Sequence, residues 1–293
     1  MDALQIKDPG ASSTAIQHHY DVSNEFYRYW LDESRTYSCA LWPDNGEIDS
    51  LELAQERKID YTITQAKATN AKRVLDIGCG WGAVLKRLVD VHNVEHAVGL
   101  TLSKAQAEHI TSFNNPRIEI NQYGWLEHVP TAPYDAIISI GAFEHFAKIE
   151  LTDEQRIQAY RNFFTHCHKW LKPGGFLTLQ TISYGNMRRE DASQFMNTDI
   201  FPESDLPRLT EITRSLDGIF EVIKLRNDRE HYALTCEEWL NRLRINRDKA
   251  IALVGDDVFT RYERYLKLSA VGFRMGKIAL LRLTLRRFDS HQF

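Results

Sequence analysis

The stretch Val74-Leu75-Asp76-Ile77-Gly78-Cys79-Gly80-Trp81-Gly82 sets a short apolar run directly before three glycines at alternate positions. The run reads as a buried strand, and the glycines let the backbone turn sharply and approach a ligand closely. Val84, Leu85 and Leu88 follow at helical spacing, so the unit is strand, tight turn, helix. Open α/β sheets bind their ligands at such an edge. The G-x-G-x-G spacing differs from the G-x-G-x-x-G of a dinucleotide site. Asp76 would also repel a pyrophosphate, whereas it suits a cationic amino-acid ligand. The second strand ends in Leu100-Thr101-Leu102-Ser103, without the acidic residue that often grips a ribose. These features favour S-adenosylmethionine over a nicotinamide cofactor or a ligand-free turn.

Working outward, Ala97-Val98-Gly99-Leu100, Ala136-Ile137-Ile138-Ser139-Ile140 and Phe176 to Ile182 are further apolar runs separated by helical stretches. That alternation marks βαβ units and a buried parallel sheet. Ser103 with Gln106 and Thr152 with Gln155 fit the capping box of a helix start. The second helix carries Ile157, Tyr160, Phe163, Phe164, Cys167 and Leu171 and is expected to stop at Lys172-Pro173-Gly174-Gly175. A doubly wound α/β core is therefore expected over 71–182. Before it, Leu51, Ala54, Ile59, Ile63 and Ala66 share one helix face, and residues 1–70 read as an amino-terminal helical cap up to about Thr69. Residues 183–293 are expected to hold the remaining core strands, a substrate lid and carboxy-terminal helices. There Phe220-Glu221-Val222-Ile223 reads as a late strand, and the tail from Cys236 reads as helical, with Trp239, Leu240, Leu243, Tyr262, Tyr265, Leu266 and Phe273.

The 293 residues are 43% hydrophobic and 26% charged, which excludes a disordered or collagen-like chain. A net charge of −4, from 36 Lys plus Arg and 40 Asp plus Glu, gives no global drive toward nucleic acid. Cys39, Cys79, Cys167 and Cys236 are widely spaced with no C-x-x-C pair, so no metal site or disulfide framework is expected and a cytoplasmic setting is natural. Met1 to Tyr20 holds no apolar stretch of signal-peptide length, and Ile278-Ala279-Leu280-Leu281 stops at Arg282, too short to span a bilayer. Membrane contact is expected to be peripheral at most. The sequence does not define the oligomeric state.

Several segments together resemble the cyclopropane-fatty-acid synthase family, which includes the mycolic acid cyclopropane synthases. They are His19-Tyr20-Asp21-Val22-Ser23, Thr36-Tyr37-Ser38-Cys39-Ala40, Val74 to Gly82, Gly99 to Lys104, Ser139-Ile140-Gly141-Ala142-Phe143-Glu144-His145-Phe146 and His231-Tyr232-Ala233. The resemblance implies a class I methyltransferase (Rossmann-like) doubly wound sheet with helical caps at both ends. It implies S-adenosylmethionine held by Tyr37, Ser38, Gly78, Gly80, Thr101, Leu102, Gln106 and Trp125, with Asp76 and Ile140 beside them. It further implies that a substrate C=C attacks the sulfonium methyl and that the resulting carbocation loses a proton. Loss from the new methyl closes a cyclopropane, and loss elsewhere leaves a methylated alkene.

An alkene is a weak nucleophile, so the site must be dry and must align the double bond with the methyl. A carbocation also needs aromatic faces and a carboxylate near it. Tyr20, Phe146, Tyr265 and Phe273 are expected to line the substrate, with Trp30, Tyr37, Tyr232 and Tyr262 as further aromatic candidates. The resemblance assigns proton removal to a bicarbonate held by Cys39, the Ile140 backbone, Glu144 and Tyr232, with a histidine on the strand of residues 177–182. In this chain that histidine is Gln180, which cannot carry a proton. Bicarbonate and Glu144 itself therefore stand as alternative proton acceptors, with His145 either supporting Glu144 or packing. The segment between Ile182 and Ile200 is shorter than the resemblance leads one to expect, so the lid is remodelled. Arg188, Arg189, Arg282, Arg286 and Arg287 are expected mostly on solvated faces, although guanidinium groups also bind diphosphate. The expected activity is C-methylation of a lipid-like alkene, an acyl chain or an isoprenoid. The alternatives are methylation of an isoprenoid diphosphate or another natural-product alkene without ring closure, and a non-catalytic S-adenosylmethionine-binding partner.

Overall fold

Strands buried on both faces need unbroken apolar runs, and four such runs form the centre of one seven-stranded sheet. A computed structural model describes residues 10, 12, 24–43, 49–191, 195, 200 and 204–289. Tyr20 and the His19 to Ser23 motif lie outside the described residues. The strands are β1 (Arg73–Ile77), β2 (His96–Leu100), β3 (Ile118–Asn121), β4 (Tyr134–Ile140), β5 (Leu171–Tyr184), β6 (Phe220–Asn227) and β7 (Ile278–Arg287). Their order is β3-β2-β1-β4-β5-β7-β6, parallel from β3 to β5, with β7 antiparallel to both neighbours.

The helices are α1 (Asn24–Arg28), α2 (Leu51–Gln65), α3 (Ala83–Asp90), α4 (Lys104–Thr111), α5 (Asp153–Trp170), α6 (Leu209–Leu216), α7 (Arg229–Ile245), α8 (Arg247–Val254) and α9 (Asp256–Arg274). One apolar layer joins β4, β5 and β7 to α5 and α6, and another joins β1 and β2 to α3 and the end of α2. A third, rich in aromatic rings, joins α1 to α7, α8 and α9, so the two ends of the chain build one cap. Among the described residues, no helix is long and apolar enough to cross a membrane.

Several expectations need correction. Residues 29–43 form no helix after α1 but an irregular strap. Short polar side chains compete for its backbone, and Asp32 accepts the N–H groups of Ser34 and Thr36. The tail from Cys236 is not wholly helical, because Leu281, Leu283 and Leu285 alternate with Arg282, Thr284 and Arg286 and form β7. A period of two specifies a strand. Helix α5 ends at Trp170, and Pro173-Gly174-Gly175 lies within β5, with Gly174 at φ +72°. Thr152 and Gln155 make a full capping box, but Ser103 and Gln106 make half of one. Gln106 instead accepts a hydrogen bond from the Thr101 hydroxyl at 2.6 Å.

The internal placement of β7 between β5 and β6 has an energetic signature. Leu283→Ala, at a side chain 2% exposed, is expected to cost about 2–5 kcal/mol in denaturant unfolding. Leu225→Ala, 41% exposed on the edge strand β6, is expected to cost less than about 1 kcal/mol. Equal costs would contradict the internal placement of β7.

Candidate active site

At the carboxyl ends of β1 and β4 the chain leaves the sheet through the left-handed glycines Gly78 and Gly141, and a cavity opens there beside the end of β2. Gly78 has φ +78°, and a Cβ there would stand 2.5 Å from that of Ala142. Only glycine fits that approach. Tyr37, Ser38, Asp76, Gly78, Gly80, Thr101, Leu102, Gln106, Trp125 and Ile140 all line this one cavity. His145 and Phe146, expected on the catalytic and substrate sides, line it as well. The His145 Nδ1 shares a 2.6 Å hydrogen bond with the Ser204 hydroxyl, and burial drives its pKa down to about 4. It is therefore neutral at pH 7. Phe146 packs against Trp125 and Phe163.

Sequence reasoning missed Lys58. Its ammonium lines the same cavity, is wholly buried and donates to the Ser38 hydroxyl at 2.8 Å. Burial, reinforced by the charge of Arg282, lowers its pKa to about 7 against the opposing pull of Asp32, Cys39 and Asp76. Asp76 is pushed up to about 7 by burial, partly offset by Lys58, and its Oδ2 makes no hydrogen bond. A signal was present in the sequence, since Lys58 interrupts the buried face of α2 between Leu51, Ala54, Ile59 and Ile63. A buried acid and a buried amine beside one cavity suit the zwitterionic amino-acid end of S-adenosylmethionine.

Behind the cavity sits a second, buried polar group. β4 stops at Ile140, and its next residue, Gly141, still donates to the Gln180 carbonyl at 2.9 Å. The Ile182 N–H lies beyond the reach of β4, and Glu144 Oε1 accepts it at 2.6 Å. Glu144 Oε2 makes no hydrogen bond, and burial raises this carboxyl to about 7 despite the Ile182 N–H and Thr181. Tyr232 stacks on Phe273 with ring centres 4.5 Å apart. Burial drives its hydroxyl well up, with Tyr265, Cys236, Cys39 and Glu144 adding to the effect. The structure thus brings Tyr232 close to both Cys39 and Glu144. The Cys39 thiol, raised to about 11 by burial, donates to the Ala40 carbonyl and stays protonated. Tyr265 accepts from the Tyr37 hydroxyl at 3.0 Å, which ties the expected substrate side to the cofactor side.

Of the five arginines expected mostly on solvated faces, Arg188 and Arg286 are exposed, whereas Arg189 and Arg282 are drawn inward. Arg189 pairs with Asp205 at 2.7 Å and Glu211 at 3.0 Å, and Arg282 is 4% exposed and pairs with Asp228 at 2.9 Å. Arg188 is exposed and meets Asp191. Both guanidinium groups, half-buried at Arg189 and deeply buried at Arg282, are already paired with acids, which leaves neither as a ready diphosphate clamp. No cluster of three or more His, Cys, Asp or Glu that could hold a metal ion occurs among the described residues.

The family model of mycolic acid cyclopropane synthetase matches residues 8–283. The chain belongs to that family. It is 34% identical to cyclopropane mycolic acid synthase MmaA2 of Mycobacterium tuberculosis, over 93% of this chain and 96% of the relative. Mycolic acid cyclopropane synthase CmaA1, solved in complex with SAH and CTAB, superposes with a TM-score of 0.84 at 33% identity, covering 95% of this chain and 99% of that one. Coclaurine N-methyltransferase, solved with N-methylheliamine and SAH, is 22% identical with a TM-score of 0.80, covers 98% of this chain and 85% of its own, and shows the shared fold. This synthetase-family member is an S-adenosylmethionine-dependent methyltransferase. The cavity described above is lined by the residues expected to hold that cofactor.

Lys58→Met is expected to weaken binding of S-adenosylhomocysteine, measured by titration calorimetry, by about tenfold or more, roughly 1.4 kcal/mol. Affinity equal to the parent protein would remove Lys58 from the cofactor site.

Proposed function

We propose that this enzyme transfers the methyl of S-adenosylmethionine to a C=C bond of a lipid-like substrate and that Glu144 takes the departing proton. The bound cofactor supplies an electrophilic methyl on a sulfonium. The protein's share is to exclude water, align the alkene and receive a proton. When the π electrons form the new C–C bond, the positive charge falls on the neighbouring substrate carbon. The ring faces of Tyr232 and Phe273 supply electron density to that cation. Glu144 then accepts a proton, and the electrons of the broken C–H bond quench the charge. Loss of the proton from the transferred methyl closes a cyclopropane, and loss from a substrate carbon leaves a methylated alkene.

The observation that carries this reading is the state of Glu144. One oxygen is pinned by the Ile182 N–H, the other makes no hydrogen bond, and the carboxyl titrates near 7 because water is excluded. A base poised near the working pH is well matched to proton transfer. Gln180, at the position where the family resemblance implies a histidine, can neither accept a proton nor carry a charge, which favours Glu144 over a bound bicarbonate as the acceptor.

Glu144→Gln is expected to lower turnover about 100-fold or more and to leave S-adenosylhomocysteine binding intact. Since only the carboxylate accepts a proton, turnover of the parent protein should rise with pH through about 7 and level off above it. A flat profile together with an active Gln variant would exclude Glu144 as the base. With a fully deuterated methyl donor, product carrying two deuteriums reports cyclopropane formation and product carrying three reports methylation without ring closure. Unsaturated phospholipids, acyl carriers and prenyl diphosphates are the substrates to offer. Bicarbonate should leave turnover unchanged, and stimulation by it, stronger in Gln180→His, would favour the anion.

A further inference from the structure

Arg282 is deeply buried on β7, a strand remote in sequence from every motif of the site. Its Nη2 donates to the Cys39 carbonyl at 3.3 Å and the Ala40 carbonyl at 3.0 Å, and lies 3.4 Å from the Cys39 sulfur. Its Nε pairs with Asp228 at 2.9 Å, and the Asp228 carbonyl accepts the Tyr232 N–H in the first turn of α7. In the antiparallel β5–β7 ladder Arg282 is directly opposite Gln180, so the two side chains share a face. Arg282 Nη1 and Gln180 Oε1, one donor and one acceptor, are both buried and make no hydrogen bond. One planar fork therefore meets the strap at Cys39, the helix that carries Tyr232 and the strand that carries Gln180.

The strap is fastened separately on its cofactor side. Gln55 Nε2 donates to the carbonyls of Thr36 at 3.1 Å and Ser38 at 2.8 Å, and Lys58 holds the Ser38 hydroxyl. Two fastenings at different points of one irregular segment, built from different side chains, suggest two tasks.

We propose that Arg282 is the positioning residue of the proton-accepting half of the site, setting Cys39, Gln180 and Tyr232 against the substrate while Gln55 and Lys58 set the methyl donor. The inference rests on the methyl-transfer reading above. The guanidinium suits this role because its donors are fixed in one plane, whereas a lysine would offer a single mobile ammonium.

The test uses Arg282→Gln, Arg282→Lys and the double variant Arg282→Gln/Asp228→Asn, which removes both charges of the buried pair and leaves Arg226, the other partner of Asp228 at 3.0 Å, part-exposed to water. Arg282→Gln should lower kcat about 100-fold, the scale of a small misplacement in a preorganised site. It should also shift the ratio of doubly to triply deuterated product and keep S-adenosylhomocysteine affinity within about threefold. The lysine variant should recover only part of kcat. The double variant should recover thermal stability without recovering kcat or the product ratio. A kcat that returns together with stability, or a loss of S-adenosylhomocysteine affinity as large as the loss of kcat, would overturn the assignment. Hydrogen exchange supplies a readout that needs no substrate. Arg282→Gln should speed exchange at the amides of Ala40 and Tyr232 but not at Ser38 or in the 78–82 loop. Unchanged exchange at Ala40 and Tyr232 would overturn the assignment even if no alkene tested is methylated, a result that by itself would count against the methyl-transfer reading.

Discussion

The strap from Thr36 to Trp42 is mostly buried and has no regular structure, so its backbone groups have to find partners in side chains and in neighbouring elements. Asp32 accepts the Thr36 N–H, Gln55 serves the carbonyls of Thr36 and Ser38, and Thr235 accepts the Ala40 N–H. The Ala54 carbonyl accepts the Leu41 N–H, Arg57 donates to the Leu41 carbonyl, and His231 Nδ1 accepts the Trp42 N–H. Arg282 completes the set at Cys39 and Ala40. Because these partners come from α2, α7 and β7, neither the cap nor the sheet can shift without leaving buried polar groups unpaired, which costs about 1–3 kcal/mol each. Tyr37 and Ser38, which line the cavity, inherit their positions from this accounting.

Burial that suits an alkene is unfavourable for charge, and three groups register it. Asp76 and Glu144 rise to about 7, and Lys58 falls to about 7. For the two carboxyls the folded state holds the proton more tightly than the unfolded chain does. Their stabilising contribution is full below the ordinary carboxyl range and is lost as pH rises through about 7. For Lys58 the folded state releases the proton more readily, so its penalty grows as pH falls from the ordinary lysine range toward 7. All three therefore oppose folding near neutrality. Such a cost at one place is what a site selected for dryness would carry, and the three apolar layers around it supply the stability that offsets it.

How much of this was legible in the sequence follows from the distance between partners. The unit β1, glycine loop and α3 announces itself because run, turn and periodicity are contiguous, and the residues named for the cofactor lie in short motifs. β3 was missed because four half-buried residues at a sheet edge give too short an alternation. β7 was missed because the helical spacing from Trp239 to Phe273 was carried on to the end of the chain, past the alternation of Leu281 to Arg286. Lys58 meets Ser38 across 20 residues, and Arg282 meets Cys39 across 243. No local pattern reveals that such a cation is buried, since burial depends on a partner that only the fold brings near.

Glutamine at position 180, where the family resemblance implies a histidine, then acquires a physical sense. A histidine opposite Arg282 would place a titratable ring beside a permanently charged guanidinium in a low-dielectric setting, where like charges disfavour the protonated ring. An imidazole there would be a poor proton acceptor, whereas an amide of similar reach keeps the hydrogen-bonding capacity without the repulsion. Gln180 and Arg282 thus make sense as a pair, and the pair leaves its flank without a base. Glu144 receives its backbone N–H on the β4 side of β5, whereas Arg282 stands on the β7 side. On the proposed mechanism the proton lost is the one that the bound substrate presents to Glu144, since neither Gln180 nor Arg282 offers a second acceptor.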